Sequence, residues 1–172
     1  RSVVEVHEVF LDDALKLKEH GNQKGQLHRI NRFSEEETKS LRELMECSHP
    51  DWEVLFHLYH DRKMNPMSFL KSEQFLNILT ESCLEKYPYI AFADAFHTMR
   101  SMLLPVLYLL GSEVPLADTY HAISTGYGGL LACLGGYVYR RPVLLTEHGI
   151  YTREREEEII RAKWVIPSFK KQ

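Results

Sequence analysis

The first ten residues carry the alternation of apolar and polar side chains that is typical of a β-strand. Val4, Val6 and Phe10 fall on one side, and most residues between them are polar. A period of two residues places successive side chains on opposite faces of a sheet. We therefore expect residues 2–10 to form a strand, at the edge of the sheet.

Residues 34–110 instead repeat apolar side chains every three or four positions, which predicts a block of helices. Ser34 followed by Glu37 forms the capping-box pattern that begins a helix. Asp51 and Ser68 are the expected caps of the second and third helices, because their short polar side chains accept hydrogen bonds from free backbone amides.

A fourth helix is predicted over about 90–110, with Pro105 expected to kink it. Its most apolar run, residues 102–110, is about half the roughly 20 residues that a membrane-spanning helix needs. We therefore expect no membrane span there. A shorter helix is predicted over residues 12–19.

After Pro115 the pattern changes to strand, helix and strand, which predicts a right-handed βαβ unit with parallel strands. The carboxyl ends of parallel strands meet at one edge of the sheet, so Ser124 and His148 should lie side by side. The predicted elements are a strand at 118–124, a helix at 125–137, a turn at 140–142, a buried strand at 143–147 and a helix at 152–164.

Composition is that of an ordinary globular domain, with 172 residues and a net charge of −3. This balance gives no reason to expect nucleic acid or an anionic membrane as a partner. Three widely spaced cysteines, Cys47, Cys83 and Cys133, favour reduced, buried thiols and a cytoplasmic location. The chain opens without Met on a strand-like run, and we expect it to be part of a longer protein.

The first candidate site is the turn after the strand at 118–124, where Ser124, Thr125, Gly126 and Tyr127 precede a helix. Free amides and the helix dipole at such a turn suit a phosphate or a sugar hydroxyl. The alternative is purely structural, because Ser124 or Thr125 can cap the helix and the glycines can allow close packing.

The second candidate is Glu147, His148 and Gly149, at the ligand-binding edge of an open α/β sheet. His148 can donate a hydrogen bond or act as a general acid or base. Gly149 lets the backbone turn sharply or approach a ligand. The alternative is a histidine that bonds only to a neighbouring loop.

Charged residues at 152–158 form the third candidate, in which Arg153 could contact an anionic or polar ligand. The alternative is a solvated helix face with ion pairs one turn apart. No metal site is predicted: His57 and His60 are spaced for one, but two histidines on a polar helix face are more often surface residues.

Two long motifs make the chain resemble the PelF-type glycosyltransferases, retaining enzymes of glycosyltransferase family 4 associated with Pel exopolysaccharide synthesis. They are ADTYHAISTGYGGLL at 117–131 and RPVLLTEHGIYTRER at 141–155. The helix FHTMRSMLLP at 96–105 is similar to the helix that precedes the first motif in that family. The resemblance is dense over residues 91–164.

The resemblance implies an α/β, Rossmann-like fold, half of a GT-B architecture, with parallel strands and a large helical insertion at about 34–110. The chain would then be an internal part of the N-terminal, acceptor-side domain, with the βαβ unit at about 117–164. It would belong to an enzyme that transfers a hexose from UDP-glucose to a saccharide with retention. The donor would be bound mainly by a domain outside this chain, and no metal or other cofactor is implied.

The same resemblance assigns His148 as the catalytic residue, which would bond a donor-sugar hydroxyl and support positive charge at the anomeric carbon. It implies that Glu147 and Gly149 shape that strand end. It also implies that Ser124, Thr125, Gly126 and Tyr127 line the neighbouring one as substrate-binding residues. Arg153 would be a further residue of the cleft.

Two other functions remain open from the sequence. The chain could be a non-catalytic module that docks to membrane-bound polysaccharide synthase subunits, through apolar helix faces at Trp52/Phe56/Tyr59 and Phe69/Phe75/Leu79. Exposure of those faces would favour docking, and burial would count against it. A phosphate-binding α/β domain with unrelated chemistry is the third possibility.

Overall fold

The computed structural model describes residues 3–14, 16, 33–86, 88–149, 153, 157, 158 and 161. In this part the chain is a helix-dominated α/β protein with six helices, one π-helical turn and a two-stranded parallel sheet. The elements are α1 (Glu35–Met45), α2 (Trp52–Phe56), the π-turn (His57–Asp61), α3 (Pro66–Leu70), α4 (Glu73–Lys86), α5 (Phe92–Leu110), β1 (Tyr120–Ala122), α6 (Tyr127–Tyr139) and β2 (Val143–Leu145).

Local capping signals determine where the first two helices begin. The Ser34 Oγ accepts a hydrogen bond from the Glu37 amide at 3.1 Å, and the Ser34 amide donates to Glu37 Oε2 at 2.8 Å. Asp51 accepts from the amides of Glu53 and Val54 at 3.0 and 3.2 Å. Both predicted caps are confirmed, because each depends only on residues within one turn of it.

The predicted cap at Ser68 is wrong. Ser68 lies inside α3, and the single predicted helix is divided in two. The Asn65 side chain accepts from the Met67 amide at 2.8 Å and caps α3, where Pro66 occupies the first turn. Ser72 Oγ accepts from the Phe75 amide at 3.1 Å where α4 begins.

The main core lies between the helices and contains their aromatic residues. The Phe69 ring meets the rings of Phe33 and Phe75 edge to face, with centroids 5.6 and 5.5 Å apart. Tyr59 and Leu107 are fully buried in the same cluster. Edge-to-face aromatic pairs add to the stabilisation from burial itself.

The two helix faces proposed for docking are therefore mostly inside the protein. Phe56, Tyr59, Phe69, Phe75 and Leu79 are buried. Trp52 is 41% exposed and lies at the rim, with its ring 6.3 Å from that of Phe56. This burial counts against docking through these faces.

A buried carboxylate, Glu37, connects α1 to the residues that follow the π-turn. Glu37 is 7% exposed, bonds to the amide of Ser34 and forms an ion pair with Arg62. By contrast, the pair between Arg42 and Glu81, with an N–O distance of 2.7 Å, lies at the surface. Only the first pair includes a buried carboxylate, although its partner Arg62 is partly exposed.

Arg62→Met is expected to lower the free energy of unfolding by about 2 kcal/mol, because it leaves the Glu37 carboxylate buried without a counter-charge. Arg42→Met is the matched control and should cost at most about 1 kcal/mol, as exposed pairs do. Urea denaturation of both variants measures the difference. Equal losses would show that the Glu37 pair is no more important than a surface pair.

The predicted N-terminal strand is wrong. Residues 3–10 have no strand conformation, and Val3, Val4 and Val6 are 79%, 96% and 72% exposed. Alternation of apolar and polar side chains makes a segment suitable for a sheet. A strand forms, however, only where a neighbouring strand supplies its hydrogen bonds. Of the helix predicted at 12–19, Asp13, Ala14 and Lys16 are helical, and the rest lies outside the described residues.

The parallel pairing predicted near the end of the chain is confirmed, although both strands are only three residues long. Tyr120 pairs with Val143, His121 with Leu144 and Ala122 with Leu145. The expected burial of the second strand is wrong, because Val143, Leu144 and Leu145 are 43%, 54% and 47% exposed. Within the described residues nothing covers the outer face of β2, so its apolar side chains remain in solvent.

Helix α6 packs closely on this sheet because two of its four glycines face the strands. A Cβ at Gly135 would lie 2.6 Å from Tyr120 Cδ1 and 2.7 Å from Cζ. A Cβ at Gly136 would collide with Val143 Cγ2. The Tyr120 ring also stacks on Tyr139, with centroids 6.3 Å apart. The glycines thus bring the crossover helix within contact distance of both strands.

Polar contacts fix the end of α6 against the helical block. The Tyr137 hydroxyl donates to Asp61 Oδ2 at 3.0 Å, and His57 Nδ1 lies 3.1 Å from the same oxygen. Burial raises the pKa of Asp61, but the bonds from His57 and Tyr137 lower it, and the net effect is a pKa below the usual value. Arg140 lies over the Tyr137 ring, 5.3 Å from its centroid.

Three further expectations can be compared with the described residues. None of their helices is long and apolar enough to cross a membrane. The three cysteines are free, but the expectation that all of them are buried is wrong, because Cys47 and Cys133 are exposed and only Cys83 is buried. Of the helix predicted at 152–164, residues 153, 157, 158 and 161 are helical, and the others lie outside the described part.

Candidate functional site

The ends of the two parallel strands lie at the same edge of the sheet. The pairing continues one residue beyond β2, because the Thr146 amide donates to the Ala122 carbonyl at 2.8 Å. The chain leaves β1 towards Ser124 and leaves β2 towards Glu147 at this point. The structure therefore brings the first two candidate segments to one edge, as the sequence predicted.

A side-chain bond that the sequence did not identify joins the two strand ends. His121 Nε2 lies 2.8 Å from Thr146 Oγ1, although the residues are 25 positions apart. Thr146 immediately precedes Glu147, so this bond holds the backbone from which Glu147 and His148 project. This bond could have been predicted only from the strand register. His121 pairs with Leu144, and residue 146 is two positions further along on the same face of the sheet, beside the imidazole.

The turn after β1 leaves the start of α6 without a side-chain cap. Gly126 is the N-cap residue, with φ 78° and ψ −134°, a conformation that glycine adopts far more readily than other residues. Neither Ser124 nor Thr125 caps the helix, so this structural alternative is not realised. The first amides of a 13-residue helix remain available to donate hydrogen bonds to an anion or to a sugar hydroxyl oxygen.

Thr125 carries a second unsatisfied polar group at the same turn. Its Oγ1 is buried and has no hydrogen-bond partner among the described residues. A buried hydroxyl without a partner costs free energy that a bound polar group could recover. Ser124 is exposed, Tyr127 is partly buried, and a Cβ at Gly128 would lie 3.5 Å from Ser124 Oγ.

Glu147, His148 and Gly149 are exposed at the other strand end. Within the described part of the chain, the side chains of Glu147 and His148 form no hydrogen bond or ion pair. His148 is thus not the loop-bonded histidine of the structural alternative, and its imidazole is available to a ligand. Arg153 is helical and exposed, and it follows the same strand end after residues outside the described part.

The two histidines considered for metal binding have separate environments. His57 is exposed and bonds to Asp61, whereas His60 is buried with Nδ1 unpartnered. No group of three or more His, Cys, Asp or Glu side chains that could hold a metal occurs among the described residues. The chemistry available at the sheet edge is therefore that of an imidazole, a carboxylate, hydroxyls and backbone amides.

Taken together, the fold defines a helix-dominated α/β protein with an exposed polar edge on a parallel strand pair. The chain belongs to the family described as domain of unknown function DUF3492, whose model matches residues 1–172. Comparisons with curated proteins and with solved structures gave no match.

Proposed function

We propose that the chain is the acceptor-side part of a PelF-type retaining glycosyltransferase, which transfers a hexose from UDP-glucose to a growing polysaccharide. The observation that supports this most is the parallel pairing of β1 and β2. It places Ser124–Tyr127 and Glu147–Gly149, the polar centres of the two quoted motifs, at one sheet edge. The family is associated with N-terminal regions of GT4-like glycosyltransferases, which agrees with this proposal.

The proposal includes a Rossmann-like domain that is wider than the two described strands. Parallel sheets normally have both faces covered, and an isolated strand pair is marginally stable in water. Val143, Leu144 and Leu145 have exposed apolar side chains, as expected of a strand whose neighbouring strand and covering helix lie outside the described residues. We infer that further strands and helices of the complete protein cover them.

His148 would face the sugar of the donor, and the amides that begin α6 would bind acceptor hydroxyls. An exposed imidazole without a protein partner can donate to a sugar hydroxyl and stabilise positive charge that develops at the anomeric carbon. The unsatisfied Thr125 hydroxyl and the uncapped α6 amides offer polar groups to the acceptor. These roles rest on the resemblance and on the free polar groups together.

Calorimetry with UDP-glucose tests the proposal on two proteins, this chain and the full-length protein that contains it. The full-length protein is expected to bind with a micromolar to millimolar dissociation constant, and this chain at least tenfold more weakly, because the donor domain is missing. UDP-galactose is the matched control for the sugar. If neither protein binds UDP-glucose, the assignment is contradicted.

A further inference from the structure

Arg100, on α5, is a partly buried arginine without a charge partner. Its Nη2 lies 3.9 Å from Met67 Sδ, a weak contact that leaves most of the guanidinium N–H groups unused. No carboxylate lies within ion-pair distance of it in the described ranges. Partial removal of a guanidinium from water is costly unless an oxyanion pairs with it. An arginine in this setting is suited to a ligand carboxylate or phosphate.

This arginine lines a cleft of about 280 Å³ between α5 and the turn at residues 11–14. His97, Arg100, Ser101 and Leu104 are spaced i, i+3, i+4 and i+7, so a single face of α5 forms one wall. Leu11 contributes apolar surface from the turn. A volume of about 280 Å³ lies just below the roughly 300–1,000 Å³ of most ligand sites, which suits a small metabolite better than a nucleotide sugar.

Ser101 supplies a hydroxyl on the same wall. It is exposed and lines the cleft one turn before Pro105. A hydroxyl both donates and accepts hydrogen bonds, so the Ser101 side chain can pair with a ligand hydroxyl.

Asp12 sets the charge that the cleft accepts. It lines the cleft from the turn and forms no ion pair with Arg100. A carboxylate can accept a hydroxyl hydrogen bond, but it repels each additional negative charge on a ligand. A singly charged carboxylate is thus favoured over a doubly charged phosphate.

We propose that this cleft binds a small hydroxylated carboxylate, such as a sugar acid. Its carboxylate pairs with Arg100, and its hydroxyls bond to Asp12 and to the Ser101 side chain. The cleft shares no residue with the strand ends around His148, so the proposal stands or falls independently of the glycosyltransferase assignment.

Titration of the chain with glucuronate, followed by NMR of the backbone amides, tests the proposal. Saturable shifts are expected at residues 97–104, with a dissociation constant in the millimolar range or below. Glucose, which lacks the carboxylate, should give none. Glucose 6-phosphate should bind more weakly than glucuronate at neutral pH, and Asp12→Asn should reduce that difference about threefold.

Variants of Arg100 identify the group that binds the ligand. Arg100→Gln should weaken glucuronate binding at least tenfold, since it removes a charge-assisted bidentate pair. Arg100→Lys should retain part of the affinity. Arg42→Gln is the matched control, because Arg42 is paired with Glu81 and lines a different cleft, and it should change affinity less than twofold.

Either of two results would overturn the proposal. One is the absence of saturable shifts at glucuronate concentrations up to about 50 mM. That concentration is well above a millimolar dissociation constant, which corresponds to a binding free energy of about 4 kcal/mol. The other is equal affinity in the Arg100→Gln variant and the unaltered chain, with both shown to be folded by circular dichroism.

Discussion

His148→Ala is expected to lower sugar transfer by the full-length protein about 100-fold while leaving the protein folded. The imidazole is exposed and bonds to no described residue, so its removal costs the fold little. If it stabilises charge only in the transition state, kcat should fall and KM should change little. A 100-fold loss corresponds to about 2.7 kcal/mol, a usual value for one such electrostatic contact.

The measurement is the rate of UDP release from UDP-glucose with and without acceptor. His49→Ala is the matched control, because His49 is also exposed but follows α1, outside both motifs. That variant should keep its turnover within about twofold, and both variants should melt at the temperature of the unaltered protein. Turnover of His148→Ala within twofold of normal would remove this residue from the mechanism.

Gly135→Ala is expected to destabilise the chain by about 1–2 kcal/mol, although alanine favours helices by about 1 kcal/mol over glycine. The new methyl group would lie 2.6 Å from Tyr120 Cδ1. The ring cannot move aside easily, because its hydroxyl donates to the Pro115 carbonyl at 2.6 Å and its face stacks on Tyr139. Crowding against a fixed ring therefore outweighs the gain in helix propensity.

Gly128→Ala, in the same helix, is the control that separates crowding from helix propensity, because it makes the same substitution where there is space. Its Cβ would meet only Ser124 Oγ, at an ordinary contact distance of 3.5 Å, so this variant should be neutral or slightly stabilised. For a domain of this size, a difference of 2 kcal/mol separates the two melting temperatures by about 4–8 °C. Melting of both variants at the same temperature would mean that α6 can move away from the sheet at little cost.

Predictions from the sequence were correct where the signal acts between residues that are close together in the chain. Ser34 with Glu37, and Asp51 with the two amides after it, act within a turn and were predicted correctly. The prediction at Ser68 failed because Asn65 and Ser72, a few residues on either side, are equally good caps, and both are used, one at the start of α3 and one at the start of α4. Pro66 favours the start after Asn65, because proline is well suited to the first turn of a helix.

Errors arose where a segment depends on a distant partner. Residues 3–10 alternate as a strand does, yet a strand needs a neighbour that the pattern cannot specify. The exposure of Leu144 and the bond between His121 and Thr146 likewise follow from what lies beside β2. The common sheet edge was predictable only because the short connection between two strand-like runs favours a parallel crossover.

The tyrosines around α6 have a consequence for motion. Tyr120 and Tyr139 donate to the carbonyls of Pro115 and Val114, and Tyr137 donates to Asp61. The Tyr137 bond joins α6 directly to the π-turn of the helical block, and the other two hold β1 and α6 to the segment that follows α5. If the strand ends bind substrate, as proposed above, closure of a cleft there would move the strand pair and α6 together with the helical block as one rigid unit.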